Sequence, residues 1–295
     1  MQIRPIAAPT EVRELKQESH SSELLAELKS AAKDIRLKAL DMIHRVGSGH
    51  PGGSLSSADI LSVLYFHHLR LDPRRPDWPE RDRFVPSKGH CAPALYAALA
   101  AAGFIPAAEL ACFRQLGGSL QGHPDMTKTP GVDMTTGSLG HGLSVGIGMA
   151  LGGKLAGQGF RTYVLIGDGE CNEGQNWEAA MAAAKYKLDN LTAICDANGV
   201  QLDGTVEDIM PMEPLADKWR AFGWEVLEAN GHDVGEIADV LDVAASVRSR
   251  PTMILAHTIK GKGVSYMEGR FEWHGRAPDD DQYRQAVREV SADDR

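Results

Sequence analysis

Two oxygen-bearing side chains stand where this chain could do chemistry. Asp168 lies between glycines in Gly167-Asp168-Gly169, and Asn198 follows thirty residues later. An apolar run at 163–166 leads into the first turn. An alanine-rich helical pattern follows at 177–187, and a second apolar run at 191–195 ends in Asp196-Ala197-Asn198. Strand, tight turn, helix and strand make one βαβ unit. Asp168 and Asn198 are therefore expected beyond the carboxyl ends of two parallel strands, where open α/β sheets bind ligands. Two oxygen ligands suit a hard cation, for which Mg²⁺ is the usual choice. The glycines about Asp168, Gly169 among them, bare backbone N–H groups of the kind that hold phosphates. A carboxylate there would repel a diphosphate unless a cation stood between them, so the pattern predicts a protein–Mg²⁺–diphosphate arrangement. A dinucleotide fingerprint fits worse. Asn172 stands where G-x-G-x-x-G needs its third glycine, and the acid sits inside the turn rather than about 20 residues on.

Four histidines each adjoin a glycine in a turn-like context: His50 in SGHPGG, His90 in SKGH, His123 in QGHPD and His274 in EWHG. Glycine beside histidine lets the backbone approach a ligand closely. Imidazole donates to phosphate or hydroxyl oxygens and exchanges protons near neutral pH. A polyol phosphate needs many such contacts.

The elements that must position these groups follow from periodicity. Residues 23–44 read as a mixed helix, 56–69 as a buried helix, 92–102 as a helix and 144–155 as a helix of small residues that lets backbones pack closely. Residues 84–87 and 252–258 read as strands, 72–78 as a proline-rich loop and 277–290 as an amphipathic closing helix. Strands alternating with helices predict a doubly wound α/β fold, a mostly parallel sheet with helices on both faces. The division expected is a polar N-terminal arm at 1–22, mobile in its first twenty residues or so, an α/β domain at 23–276, and a helix and tail at 277–295.

Composition excludes several classes. With 295 residues and 43% hydrophobic content the chain can bury a large core. A net charge of −9 without a basic run argues against nucleic acid as a partner. None of the four cysteines forms a C-x-x-C pair, so neither a zinc site nor a disulfide framework is expected. The start, MQIRPIAAPT, lacks an apolar signal region, and no apolar run approaches the ~18 residues of a membrane span. The expectation is a soluble, cytoplasmic protein with no membrane partner.

GDGECNEG followed by DANGVQLDG resembles the thiamine diphosphate motif as transketolases carry it. The wider order is similar too: SGHPG, a GH after a strand, GHP, TGxLG, GDG, DxN and a late HG, spread over residues 48–275. The resemblance implies thiamine diphosphate and Mg²⁺ as cofactors. It implies metal ligation by the Asp168 and Asn198 side chains and the Val200 carbonyl. It assigns His90 and His274 to the diphosphate, together with the cofactor-binding positions Gly169 and Asn198. It assigns His50 and His123 to the sugar channel, and gives His274 a further part in proton transfer. Gly137 and Leu139 fall where the family holds the aminopyrimidine and thiazolium rings, and Glu173 on an acid that links two active sites of a dimer. The sequence departs from the commoner GPLGQG, with Ser138 for Pro and His141 for Gln.

The resemblance covers only the first of the family's three domains. An essential glutamate comes from the second, the pyrimidine-binding domain. The expectation is therefore the N-terminal subunit of a two-component transketolase, moving a two-carbon ketol unit from a ketose phosphate to an aldose phosphate. Its partner would be a C-terminal subunit carrying the pyrimidine-binding domain, in an α2β2 assembly. The rivals are half of a 1-deoxyxylulose phosphate synthase-like enzyme, a 2-oxo acid dehydrogenase component, or a non-catalytic relative. The histidine set favours polyol substrates over pyruvate, and the intact metal positions speak against loss of catalysis.

Overall fold

Long apolar runs belong to strands covered on both faces, and here they build one parallel sheet. The computed structural model describes residues 20–292. The expectations for residues 1–19 and for the last three residues of the tail lie outside the described residues. Strands β1 (Arg83–Pro86), β2 (Thr162–Gly167), β3 (Leu191–Ala197), β4 (Glu225–Asn230) and β5 (Thr252–His257) pair in the order β1-β2-β3-β5-β4, all parallel. The α-helices are α1 (Ser22–Val46), α2 (Pro51–Ser56), α3 (Ala58–Val63), α4 (Ala92–Ala101), α5 (His141–Leu155), α6 (Gly174–Lys185), α7 (Val206–Ile209), α8 (Leu215–Ala221), α9 (Val234–Ser246) and α10 (Asp280–Ala292). No helix among the described residues is long and apolar enough to cross a membrane.

Alternation along the strands divides the core. Tyr163, Leu165, Ile194 and Ile254 face one layer with side chains of α1, α3, α4 and α9. Val164, Ile166, Ala193, Cys195 and Met253 face the other with α5, α6 and α8. The doubly wound fold is as the sequence predicts. A third apolar group joins Leu40 of α1 and Leu55 of α2 to Ala286 and Val290 of α10, across Trp273.

The stretch expected as one helix over 56–69 begins earlier and is broken. Pro51 opens α2, a first-turn position where its missing N–H costs nothing. Ser54 and Ser57 hydroxyls donate back to the carbonyls of His50 and Gly53, at 2.8 and 2.7 Å. Such back-bonding bends helices. The segment ends in a wide π-turn, Leu64–His68.

Helix α5 lies so close to the sheet that only glycine fits beneath it. A Cβ on Gly146 would stand 2.3 Å from Val164 Cγ2, whereas one on Gly148 would meet nothing within 4 Å. Gly146→Ala should therefore destabilise the fold by roughly 1–3 kcal/mol through overpacking. Gly148→Ala should stabilise it by about 0.5–1 kcal/mol, as alanine replaces glycine inside a helix. Urea unfolding of both variants checks the contrast, and a Gly146→Ala protein as stable as the parent would show that α5 lifts freely.

Candidate active site

At the carboxyl end of β2 the chain turns sharply through Asp168. Its carboxylate accepts from Gly169 N at 2.8 Å and, across the strand gap, from Gly199 N at 2.5 Å. Asn198 follows β3, and its carboxamide oxygen accepts from Val200 N at 3.1 Å. Asp168, Asn198 and Val200 thus share one small turn system beyond β2 and β3, at the strand ends where the sequence places Asp168 and Asn198. Gly169 permits it, since a Cβ there would come 2.9 Å from Gln201 Cβ. Burial raises the Asp168 carboxyl to about 6, against the hydrogen bond from Gly199.

The four histidines converge from four separate stretches. His50 caps the start of α2, and its ring centroid lies 5.3 Å from His90, 6.0 Å from His123 and 5.4 Å from His274. His90 and His274 stack at 4.9 Å. Burial, helped by Arg114, lowers His50 to about 4, and burial with Lys260 lowers His274 to about 3. Burial and Lys88 hold His90 well below its ordinary value, and burial with Arg114 lowers His123. At neutral pH this cluster is uncharged, each ring offering one donor and one acceptor.

Gly137 and Leu139 lie on the loop that leads to α5. A Cβ on Gly137, whose φ is +152°, would stand 3.1 Å from His123 Cδ2, so glycine lets the loop rest on that ring. Leu139 is 37% exposed, and its side chain is open to solvent. His141 occupies the exposed first position of α5, and Glu173 the exposed N-cap of α6.

Four working residues escape the sequence pattern. Lys260, after β5, is buried; its ammonium donates to the Val200 carbonyl at 3.0 Å and lies 3.1 Å from His274 Nδ1. Burial, then Lys88, lowers it to about 8, so it still holds its proton at pH 7. Lys88 pairs with Asp196 in the interior, and Asp196 also accepts from Ser56 and Ser57 hydroxyls at 2.6 and 3.3 Å and from Thr258. Glu170 accepts from Ser87, from Gly140 N at 2.8 Å and from Gly167 N at 3.1 Å, tying the Asp168 turn to the 136–140 loop. The lysines of SKGH and KGKG stand beside recognised histidine and glycine signals. Nothing in the sequence marks Glu170 or the interior role of Asp196.

The residues fit a diphosphate with a hard cation. Asp168, Asn198 and the Val200 carbonyl offer only oxygens, the donor set of Mg²⁺. Lys260 supplies a cation beside them. His50 Nδ1, Arg114 Nε and Thr136 Oγ1 are buried without a hydrogen-bond partner, although such groups are ordinarily satisfied.

Removing one member of a buried ion pair strands the other, at a cost of about 3–5 kcal/mol. Lys88→Met should lower stability by that amount, and adding Asp196→Ala should cost less than the sum of the two single changes. Urea midpoints of the four proteins check this, and strict additivity would show that the pair is not coupled.

Comparison with known proteins matches residues 28–294 to the family described as transketolase, thiamine diphosphate binding domain. An apulose-4-phosphate transketolase subunit of Phocaeicola vulgatus is 47% identical over 256 residues, covering 87% of this chain and 91% of that one. The 6-deoxy-6-sulfo-D-fructose transketolase subunit SqwG of a Clostridium species is 47% identical over 269 residues, covering 91% and 98%. The crystal structure of Campylobacter jejuni transketolase superposes with a TM-score of 0.85 at 34% identity, over 93% of this chain but 44% of that longer one. With the domain matched almost end to end, and subunit-sized relatives alike along nearly their whole length, the chain belongs to the transketolase family.

Proposed function

We propose that this chain is the thiamine diphosphate-binding subunit of a two-component transketolase, moving a two-carbon ketol unit from a ketose phosphate to an aldose phosphate. The observation that carries the reading is the convergence of four neutral histidines beside an all-oxygen cation site and a buried ammonium. Asp168, Asn198 and the Val200 carbonyl would hold Mg²⁺. Lys260, His90 and His274 would face the diphosphate, with the N–H groups about Gly169 beside them. Gly137 and Leu139 would receive the cofactor rings. When bound, thiamine diphosphate supplies a carbon nucleophile that can take up the ketol unit. His50 and His123, each with a donor and an acceptor, would orient substrate hydroxyls. His274, turned toward Lys260 through Nδ1, would carry a proton between substrate oxygens.

The unit that binds the cofactor is taken as 23–276, with 277–295 as a closing helix and tail. The packing of Ala286 and Val290 on Leu40 supports docking of that helix on the same unit. Two relatives named as subunits are spanned over 91% and 98% of their length, which supports a separate partner here. That partner would bring the pyrimidine-binding domain, in an α2β2 assembly with Glu173 near its axis. The open side chain of Leu139 is what a covering partner would bury. Four free cysteines, three of them buried, suit a reducing, cytoplasmic setting.

Two measurements test the reading. Asp168→Ala should weaken Mg²⁺-dependent thiamine diphosphate binding about ten- to hundredfold, the worth of a charge-assisted contact, while leaving the circular dichroism unchanged. Normal binding by calorimetry would remove Asp168 from the metal site. The purified chain should be inactive in ketol transfer alone and active once mixed with a protein carrying the pyrimidine-binding domain. Full transfer by this chain alone would overturn the two-component reading.

A further inference from the structure

At the other end of the strands from the histidine cluster, a second group of titratable side chains has no part in that chemistry. His20 lies just before α1, His67 and His68 sit in the π-turn after α3, and Asp239 and Asp242 lie one turn apart on α9. Tyr163, near the amino end of β2, shares a hydrogen bond with His68 Nε2 at 2.9 Å, which places the group toward the amino ends of the strands. Among the described residues, His20, His67 and Asp242 offer ligand atoms that all lie within 4.8 Å of one another.

Three features point to a cation. First, His20 Nε2 is buried without a hydrogen-bond partner, yet stands 3.3 Å from Asp239 Oδ1 and 3.7 Å from Asp242 Oδ2. Ligands of a tetrahedral ion with bonds of 2.0–2.1 Å lie about 3.3–3.4 Å apart, a few tenths of an ångström closer than His20 Nε2 and Asp242 Oδ2 at 3.7 Å. Secondly, the His67 ring meets His20 edge-on, with centroids 5.1 Å apart, while a ligand atom of each lies within 4.8 Å of the other and of an Asp242 oxygen. Thirdly, His68 lies 3.7 Å from the other oxygen of Asp242 and is itself anchored on Tyr163. The wide π-turn is what turns two consecutive histidines toward one place, and such turns gather at functional sites.

We propose that His20, His67 and Asp242 bind a borderline divalent cation, Zn²⁺ in the first instance, with water in the fourth position. Two imidazoles and one carboxylate suit Zn²⁺ rather than Mg²⁺, which asks for oxygen alone. The ion would clamp the segment before α1 to the π-turn and to α9, three stretches remote in sequence. The site stands apart from the proposed cofactor and does not rest on that reading.

Calorimetric titration of ZnCl₂ into the full chain, in excess MgCl₂ to occupy the oxygen site, tests the proposal. One Zn²⁺ site per chain is expected. His67→Ala and Asp242→Ala should each weaken it more than tenfold, and the Co²⁺-loaded parent should show the visible absorption of a four-coordinate ion that both variants lose. Asp242 is 56% exposed, so its variant folds and decides the matter even where His67→Ala does not. A parent without such a site, or variants that keep its affinity within tenfold, overturns the proposal.

Discussion

The buried pair of Lys88 and Asp196 holds the carboxyl edge of the sheet together. Neither residue is more than 2% exposed. Burial alone would drive both toward neutrality, but their mutual attraction outweighs it, holding Asp196 down at about 2 and Lys88 well above the usual lysine range. Hydroxyls of Ser56, Ser57 and Thr258 complete the carboxylate's partners, so α2, β1, β3 and β5 all end on one network. Its spacing matters for chemistry. His90 lies two residues past Lys88, Asn198 two past Asp196, and Lys260 two past Thr258. Residues that would meet the cofactor are thus fixed by charges that never touch it.

Above that network the charges are sorted. The histidines are kept neutral by burial and by neighbouring cations, while Lys260 keeps its proton because its own value falls only to about 8. An ammonium beside neutral rings would attract a phosphate without the mutual repulsion that four charged imidazoles would bring. Asp168, raised to about 6 by burial, is the complementary case: an acid whose anionic form the proposed metal would complete.

Much of this is legible in the sequence because the signals are local. Gly167-Asp168-Gly169, the strand before Asn198 and the glycine-flanked histidines are each readable within a few residues. What is not legible depends on distant partners. Asp196 reads as the last polar residue of a strand until Lys88 arrives from over a hundred positions earlier. Glu170 reads as a turn acid until Ser87 and Gly140 reach it. Strand β4 escapes the periodicity because it is an edge strand, mostly half-buried, with Glu225, Glu228 and Asn230 interrupting its apolar side chains. The break between α2 and α3 depends on serine hydroxyls turning inward, which periodicity does not report.

The strand order also governs how the molecule comes into being. Strand β4 pairs only with β5, which must itself insert between β3 and β4. Of the strands, β5 is the last to leave the ribosome, and the edge strand has no place in the sheet before then. Parallel pairings over such separations close slowly, since loop entropy is spent before the contacts reward it. Lys260 and His274 follow β5 in the chain. During synthesis, therefore, the sheet is completed only after β5 has emerged, and Lys260 and His274, which follow it, reach their places no earlier.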